Sequence, residues 1–176
     1  KELSERAVEA HAAENPVFLK ALSWSRAVNK AIGALSDDEK TAFGGVRDVL
    51  EEAHKSFDIA VVSSANYAAV EEEWSRCGLL AHVDVLTTQQ DGSKSHCIAE
   101  LLKKGYAPKS AVMCGDAPGD EKAANENGVL FYPILVRSEE ASWEALPAFL
   151  GLVKEGNAEG EADRLKAAFF RNLGGN

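Results

Sequence analysis

The spacing of apolar residues changes near residue 57 and separates an N-terminal helical part from the rest of the chain. Up to that point apolar residues recur every three or four positions, which is typical of amphipathic helices. Asn15-Pro16 predicts the start of one long helix, because proline is well tolerated in a first turn. Its predicted apolar face comprises Val17, Ala21, Trp24, Val28, Ala31 and Leu35, and we expect Trp24 to lie in the core.

Beyond this point, short apolar runs alternate with helical patterns. The runs 57–62, 83–86, 111–114 and 129–134 predict buried strands. Strands that alternate with helices indicate a parallel sheet with right-handed crossovers. The predicted fold class is therefore α/β, a three-layer Rossmann-like parallel sheet flanked by helices. We assign residues 1–42 to a helical segment, 43–137 to the α/β core and 138–176 to a helical C-terminal tail.

The composition of the chain limits the binding partners and the cellular compartment that we expect for the protein. The net charge of −9 and the pI of about 5.0 argue against a nucleic-acid-binding surface. No apolar run has the length of a membrane span, and no pattern of a signal peptide is present. The three cysteines form no Cys-x-x-Cys pair, which favours reduced thiols and a cytoplasmic location.

Polar side chains follow three of the predicted strands or begin the next helix. Ser63 follows the first strand, Lys94 precedes a helix, and Asp116 and Asp120 follow the third strand. Parallel strands end at one edge of a sheet, so we expect these groups to converge there. A hydroxyl, an ammonium and two acids that suit Mg²⁺ would together bind a phosphate group.

Each of these residues also has a purely structural interpretation. Ser63 and Ser64 are typical helix-capping residues, and Lys94 is compatible with a solvated loop. Asp116, Asp120 and Glu121 suit the first turn of a helix, where the helix dipole favours acids. The order and spacing of the set favour the phosphate site over these separate interpretations.

That order resembles the haloacid dehalogenase superfamily of phosphohydrolases. Ile59-Ala-Val-Val-Ser63 is similar to the second motif of the family, a strand that ends in Ser or Thr. Lys94, before a helix, resembles the third motif. Gly115-Asp116-Ala-Pro-Gly-Asp120 resembles the fourth, a Gly-Asp pair with a second acid, and is the most specific of the three. The resemblance covers about residues 43–136.

The first motif of the family, a strand with Asp-x-Asp, has no counterpart before Ser63. Asp37-x-Glu39-x-Thr41 imitates its spacing, but Ser36 and Glu39 form a capping-box pattern that predicts a helix or turn instead. The resemblance therefore implies that the nucleophile lies upstream of Lys1 and that residues 1–40 are the rear part of a helical cap.

In the family, the first-motif strand lies between the strands that end here at Ser63 and Asp116. Its absence predicts one of three outcomes. The missing strand is recruited from elsewhere, the two flanking strands pair directly, or the N-terminal helical segment covers the gap. An exposed sheet edge of this kind would also favour self-association.

The resemblance implies Mg²⁺-dependent hydrolysis of a phosphate monoester on a small phosphorylated substrate. Ser63, with Ser64 beside it, and Lys94 would bind the phosphoryl group, Asp116 would bind the metal, and Asp120 would bind it or orient its water. We expect no turnover by this chain alone, since the aspartate that accepts the phosphoryl group is missing. Two alternatives remain open, a non-catalytic binding module on the same scaffold and a receiver-like signalling domain.

Overall fold

The computed structural model describes residues 5–12 and 15–174 of the 176-residue chain. The helices are α1 (Glu5–Ala12), α2 (Pro16–Ala34), α3 (Val46–His54), α4 (Tyr67–Arg76), α5 (Lys94–Leu102), α6 (Pro118–Asn127), α7 (Glu139–Lys154) and α8 (Glu159–Leu173). The strands are β1 (Ala60–Val62), β2 (Val85–Thr87), β3 (Val112–Gly115) and β4 (Leu130–Pro133). Across the described ranges, none of the helices combines the length and apolar character that crossing a bilayer requires.

The chain divides into two units, Lys1–Thr41 and Ala42–Asn176. In the first unit, α2 begins where the sequence predicted, because the Asn15 side chain accepts the Val17 N–H at 2.9 Å. The prediction that Trp24 lies in the core is wrong, since 69% of the residue is exposed. The more protected positions of α2 are Phe18, Leu22, Ser25 and Val28, which lie on a face displaced from the predicted one. The helical period was correct, whereas the choice of face was not.

The segment that imitates an Asp-x-Asp motif is not a strand. Residues Asp37–Lys40 form a short 3₁₀ helix, and α2 extends to Ala34 directly before it. The Glu39 carboxylate accepts hydrogen bonds from the N–H of Ser36 at 2.9 Å and from its hydroxyl at 2.7 Å. This confirms the capping interaction that the sequence predicted.

The second unit is a parallel α/β structure, as predicted, but its strands form two separate pairs. β1 pairs with β2 in the register Val61↔Leu86, and β3 pairs with β4 in the register Cys114↔Tyr132. Each pair is a two-stranded sheet, and within the described residues β1 and β3 are not paired. The prediction of one continuous sheet is therefore wrong. Of the three outcomes predicted for the gap, direct pairing of the two flanking strands, β1 and β3, is not observed over the described ranges. Among the residues that the structure describes, each strand therefore has a partner strand along one edge only.

Helices cover these strands and complete the core. α7 and α8 come from the segment that the sequence analysis assigned to a tail, yet both contribute to the main clusters of buried residues. Tyr132 of β4 packs against Phe149 of α7 with ring centroids 5.1 Å apart. Phe131 packs against Phe169 of α8 at 5.2 Å, and Phe169 is fully buried. The two faces of β4 thus contact different C-terminal helices, and all four of its residues are buried.

Candidate functional site

The segment after β1 forms a turn that is connected to the segment after β2. The Ser63 N–H donates to the carbonyl of Thr87 at 3.0 Å, which extends the parallel ladder, and the Gln89 N–H donates to the carbonyl of Ala65 at 3.1 Å. The Ser63 hydroxyl oxygen accepts the Ala65 N–H at 3.1 Å. Because the oxygen is the acceptor in this bond, the hydroxyl hydrogen remains available to a ligand.

Neither serine caps the following helix. The N-cap of α4 is Asn66, whose side chain accepts the Ala69 N–H at 2.9 Å. The alternative interpretation of Ser63 and Ser64 as helix caps is therefore wrong. Ser63 is half-buried within the turn, whereas Ser64 is exposed.

Lys94 is the first residue of α5, and Ser93 caps this helix by accepting the His96 N–H at 3.2 Å. The Lys94 ammonium donates to Oδ1 of Asp120, in the first turn of α6. The Lys94 side chain is 27% exposed and that of Asp120 is 3% exposed, so this ion pair is largely shielded from water. Lys94 is therefore not a solvated loop lysine, contrary to the alternative interpretation.

This ion pair also relates the two small sheets. Lys94 follows the C-terminal end of β2 through a short loop, and Asp120 follows the C-terminal end of β3. Since the two side chains are in contact, the start of α5 lies against the first turn of α6, and these two helices follow β2 and β3.

The backbone around Asp120 holds its carboxylate in place. Oδ2 accepts the Ala117 N–H at 3.1 Å, so each carboxylate oxygen has one partner. Gly115, the last residue of β3, lies directly against this carboxylate, and a β-carbon there would overlap Asp120. Any larger residue at this position would force Asp120 or the backbone to shift, because the Asp120 side chain occupies the space of a β-carbon.

Asp116 lies between these residues in the chain but is exposed. Among the described residues, no hydrogen bond or ion pair involves its carboxylate. Asp116 and Asp120 thus differ in environment although they are only four residues apart: one faces water, and the other is buried against Lys94.

The donor set is compatible with a partial magnesium site. Within the described ranges, no three or more His, Cys, Asp or Glu residues are grouped so that they could hold a metal ion. Mg²⁺ usually keeps several waters and takes one or two protein carboxylates together with the phosphate oxygens of a substrate. Asp116 fits the role of such a carboxylate. Asp120 fits less well as a direct ligand, because Lys94 and the Ala117 N–H already contact its oxygens.

Cys114 lies in β3, two residues before Asp116, and a thiol at this position could in principle act as a nucleophile. Burial raises the pKa of its thiol to about 12. The thiol is therefore protonated at neutral pH, and the thiolate is the reactive form. Cys114 is not a candidate nucleophile.

Two residues that shape this region, Gly115 and Asn127, were not predicted from the sequence. Gly115 was noted only as part of a motif, and its close contact with Asp120 depends on the path of α6. Asn127, at the end of α6, donates to both the carbonyl and the hydroxyl of Ser95, the residue after Lys94. Asn127 precedes Gly128 and suggested only a helix end, so no local signal linked it to Ser95.

Parallel β–α units in which a lysine and two acids follow the strands are typical of α/β proteins that bind ligands at the carboxyl ends of their strands. Residues 4–134 match the model of the family described as haloacid dehalogenase-like hydrolase. This match covers more than half of the chain, and the protein belongs to that family. Neither a curated protein nor a solved structure matches the chain.

Proposed function

We propose that the strand-end residues bind the phosphate group of a small phosphorylated substrate, as part of a Mg²⁺-dependent phosphate-monoester hydrolase. The observation that carries this proposal is the contact between Lys94 and Asp120, since it brings a cation and an acid from two separate β–α units together. The buried Asp120 carboxylate holds the Lys94 ammonium beside the first turn of α6. The remaining hydrogens of the ammonium are available to an anion.

Each of the four polar residues has a separate proposed role that follows from its chemistry. The Ser63 hydroxyl donates a hydrogen bond to a phosphoryl oxygen, and Lys94 neutralises part of the phosphate charge. Asp116 binds Mg²⁺, while Asp120 orients Lys94 and, through it, the bound phosphate. The metal, when bound, polarises the phosphoryl group and offsets the repulsion between the phosphate and the acids.

The covalent step of this chemistry needs a carboxylate that attacks phosphorus. We assign no residue of this chain to that role, and we expect the 176-residue chain to bind phosphate without hydrolysing phosphate monoesters.

The test is equilibrium binding of inorganic phosphate with and without Mg²⁺, with phosphorus NMR as the method of detection. Lys94→Met and Asp116→Asn should each weaken Mg²⁺-dependent phosphate binding by about tenfold, the effect of losing one charged contact. Lys103→Met, at the exposed end of the same helix, is the matched control and should leave the affinity unchanged.

Equal affinities for wild type, Lys94→Met and Asp116→Asn would contradict the proposed site. A hydrolysis assay with a generic aryl phosphate tests whether the chain holds a nucleophile. Turnover by this chain alone would show that a nucleophile is present within it. Phosphate binding without turnover is the result expected of a chain to which no nucleophile is assigned, and a non-catalytic binding module would give the same result.

A further inference from the structure

A second contact joins α5 to α6, one residue beyond Lys94. The Asn127 side-chain nitrogen lies 3.0 Å from the carbonyl oxygen of Ser95, 3.1 Å from its hydroxyl oxygen and 2.9 Å from the carbonyl oxygen of Ala123. Two of these three atoms are carbonyl oxygens, which only accept hydrogen bonds. The amide nitrogen, rather than the amide oxygen, must therefore face them.

Asn127 is not needed to end its own helix. Gly128 adopts the left-handed conformation, with φ of 67°, and its N–H donates to the carbonyls at the end of α6. This arrangement is a common way to complete a helix C-terminus. The Asn127 side chain points instead toward the first turn of α5, where its partner Ser95 is adjacent to Lys94.

The two contacts hold the first turn of α5 from two places along α6. Asp120 contacts Lys94 near the start of α6, and Asn127 contacts Ser95 at its end. Seven residues separate Asp120 from Asn127, about two helical turns, so both side chains project from the same face of α6. The first contact fixes the ammonium group, and the second fixes the backbone from which the lysine extends.

We propose that Asn127 is a positioning residue for Lys94. By binding the backbone and hydroxyl of Ser95, it sets the start of α5 so that the Lys94 ammonium reaches the buried Asp120 carboxylate. Its significance for function rests on the proposed role of Lys94 in phosphate binding, whereas the positioning itself is measurable without any phosphate.

The test measures how fast an amine-specific acylating reagent modifies Lys94, with peptide mass spectrometry to resolve each lysine. Asn127→Ala should increase the rate at Lys94 by about fivefold, the effect of losing roughly one net hydrogen bond. Ser95→Ala removes one of the two acceptors on Ser95 and should give a smaller increase. Asn125→Ala, an exposed asparagine on the same helix, is the matched control and should leave the rate unchanged.

A spectroscopic measurement distinguishes positioning from a merely structural role. The carbon-13 signal of the Lys94 ε-methylene should move in Asn127→Ala toward its position in Asp120→Asn. If Asn127 only stabilised α6, its loss would lower the melting temperature while this signal and the relative rate at Lys94 stayed unchanged, which would overturn the proposal.

A double-mutant cycle tests the route of the effect. If Asn127 acts through the ion pair, Asn127→Ala should add little to the labelling rate in an Asp120→Asn background. Fully additive effects would refute the coupling. Because these experiments contain no phosphate, their outcome is independent of the phosphate-binding test of the proposed function.

Discussion

The side chain of Asp120, including its carboxylate, occupies the space that a β-carbon at Gly115 would need. This contact brings the end of β3 next to the first turn of α6. It also leaves Asp120 only 2% exposed, with Lys94 as its counter-ion. The geometry of the proposed site therefore depends on a residue that has no side chain.

Gly115→Ala should lower the free energy of unfolding by about 1–3 kcal/mol, because the added methyl group must displace Asp120 or shift the backbone. Urea unfolding followed by circular dichroism measures the change. The matched control is Gly119→Ala, since a β-carbon at Gly119 would meet nothing within 4 Å. This control should be neutral or stabilising by up to about 1 kcal/mol, because alanine favours helices. Equal effects of the two substitutions would contradict the steric argument.

The C-terminal helix should be part of the cooperative core. Phe169 is fully buried against Phe131 of β4, whereas its neighbour Phe170 is 48% exposed. We expect Phe169→Ala to cost about 3–5 kcal/mol of unfolding free energy, the usual range for a buried phenylalanine. Phe170→Ala should cost much less. The argument fails if calorimetry gives similar melting temperatures for the two variants.

Asp84 should make the fold sensitive to acid. Its carboxylate accepts the Ile59 N–H at 2.8 Å, just before β1, and contacts His54 at 3.1 Å. The Ile59 hydrogen bond and then His54 lower the pKa of Asp84 from its usual value of 3.8. Because the pKa is lower in the folded state, this contribution is present above the unfolded pKa and is lost as pH falls through the folded value.

The wild-type melting temperature should accordingly fall more steeply than that of Asp84→Asn as the pH is lowered from about 4. At neutral pH, Asp84→Asn should be the less stable of the two, because the ionised acceptor is gone. Asp163→Asn, at an exposed position of α8 beyond its first turn, serves as the control and should follow the wild-type curve. Parallel curves for Asp84→Asn and wild type would rule out this role.

Cys114 should be slow to alkylate in the folded protein. Burial raises the pKa of its thiol to about 12, so the reactive thiolate is scarce at pH 8. We expect iodoacetamide to modify Cys114 at least roughly a hundredfold more slowly in native buffer than in concentrated urea. Peptide mass spectrometry can follow this residue separately from the other cysteines. Rapid native labelling would mean that the thiol is accessible and ionises readily.

Much of the local structure was predictable from the sequence. The start of α2 at Asn15-Pro16 and the capping interaction of Ser36 with Glu39 follow from bonds between residues a few positions apart. The strand segments were also identified, although β1 begins at Ala60 rather than Phe57. The α/β class and the family follow from the same alternation of strands and helices, together with the motifs at their ends.

Which parts of the chain come together depended on long-range packing. The helical period of α2 did not determine which of its faces is buried, and Trp24 is exposed for that reason. The division of the strands into two pairs reflects hydrogen bonding between distant segments, which a pattern within one strand does not encode.

The sequence by itself determined the elements, their order and the candidate residues Ser63, Lys94, Asp116 and Asp120, because these follow from short-range spacing and residue chemistry. Only the tertiary structure decided that Lys94 contacts Asp120, that Gly115 makes room for this carboxylate and that Asn127 binds beside the lysine. These contacts join residues that are far apart in the chain or face each other across a turn, so they depend on how β3, α5 and α6 pack together.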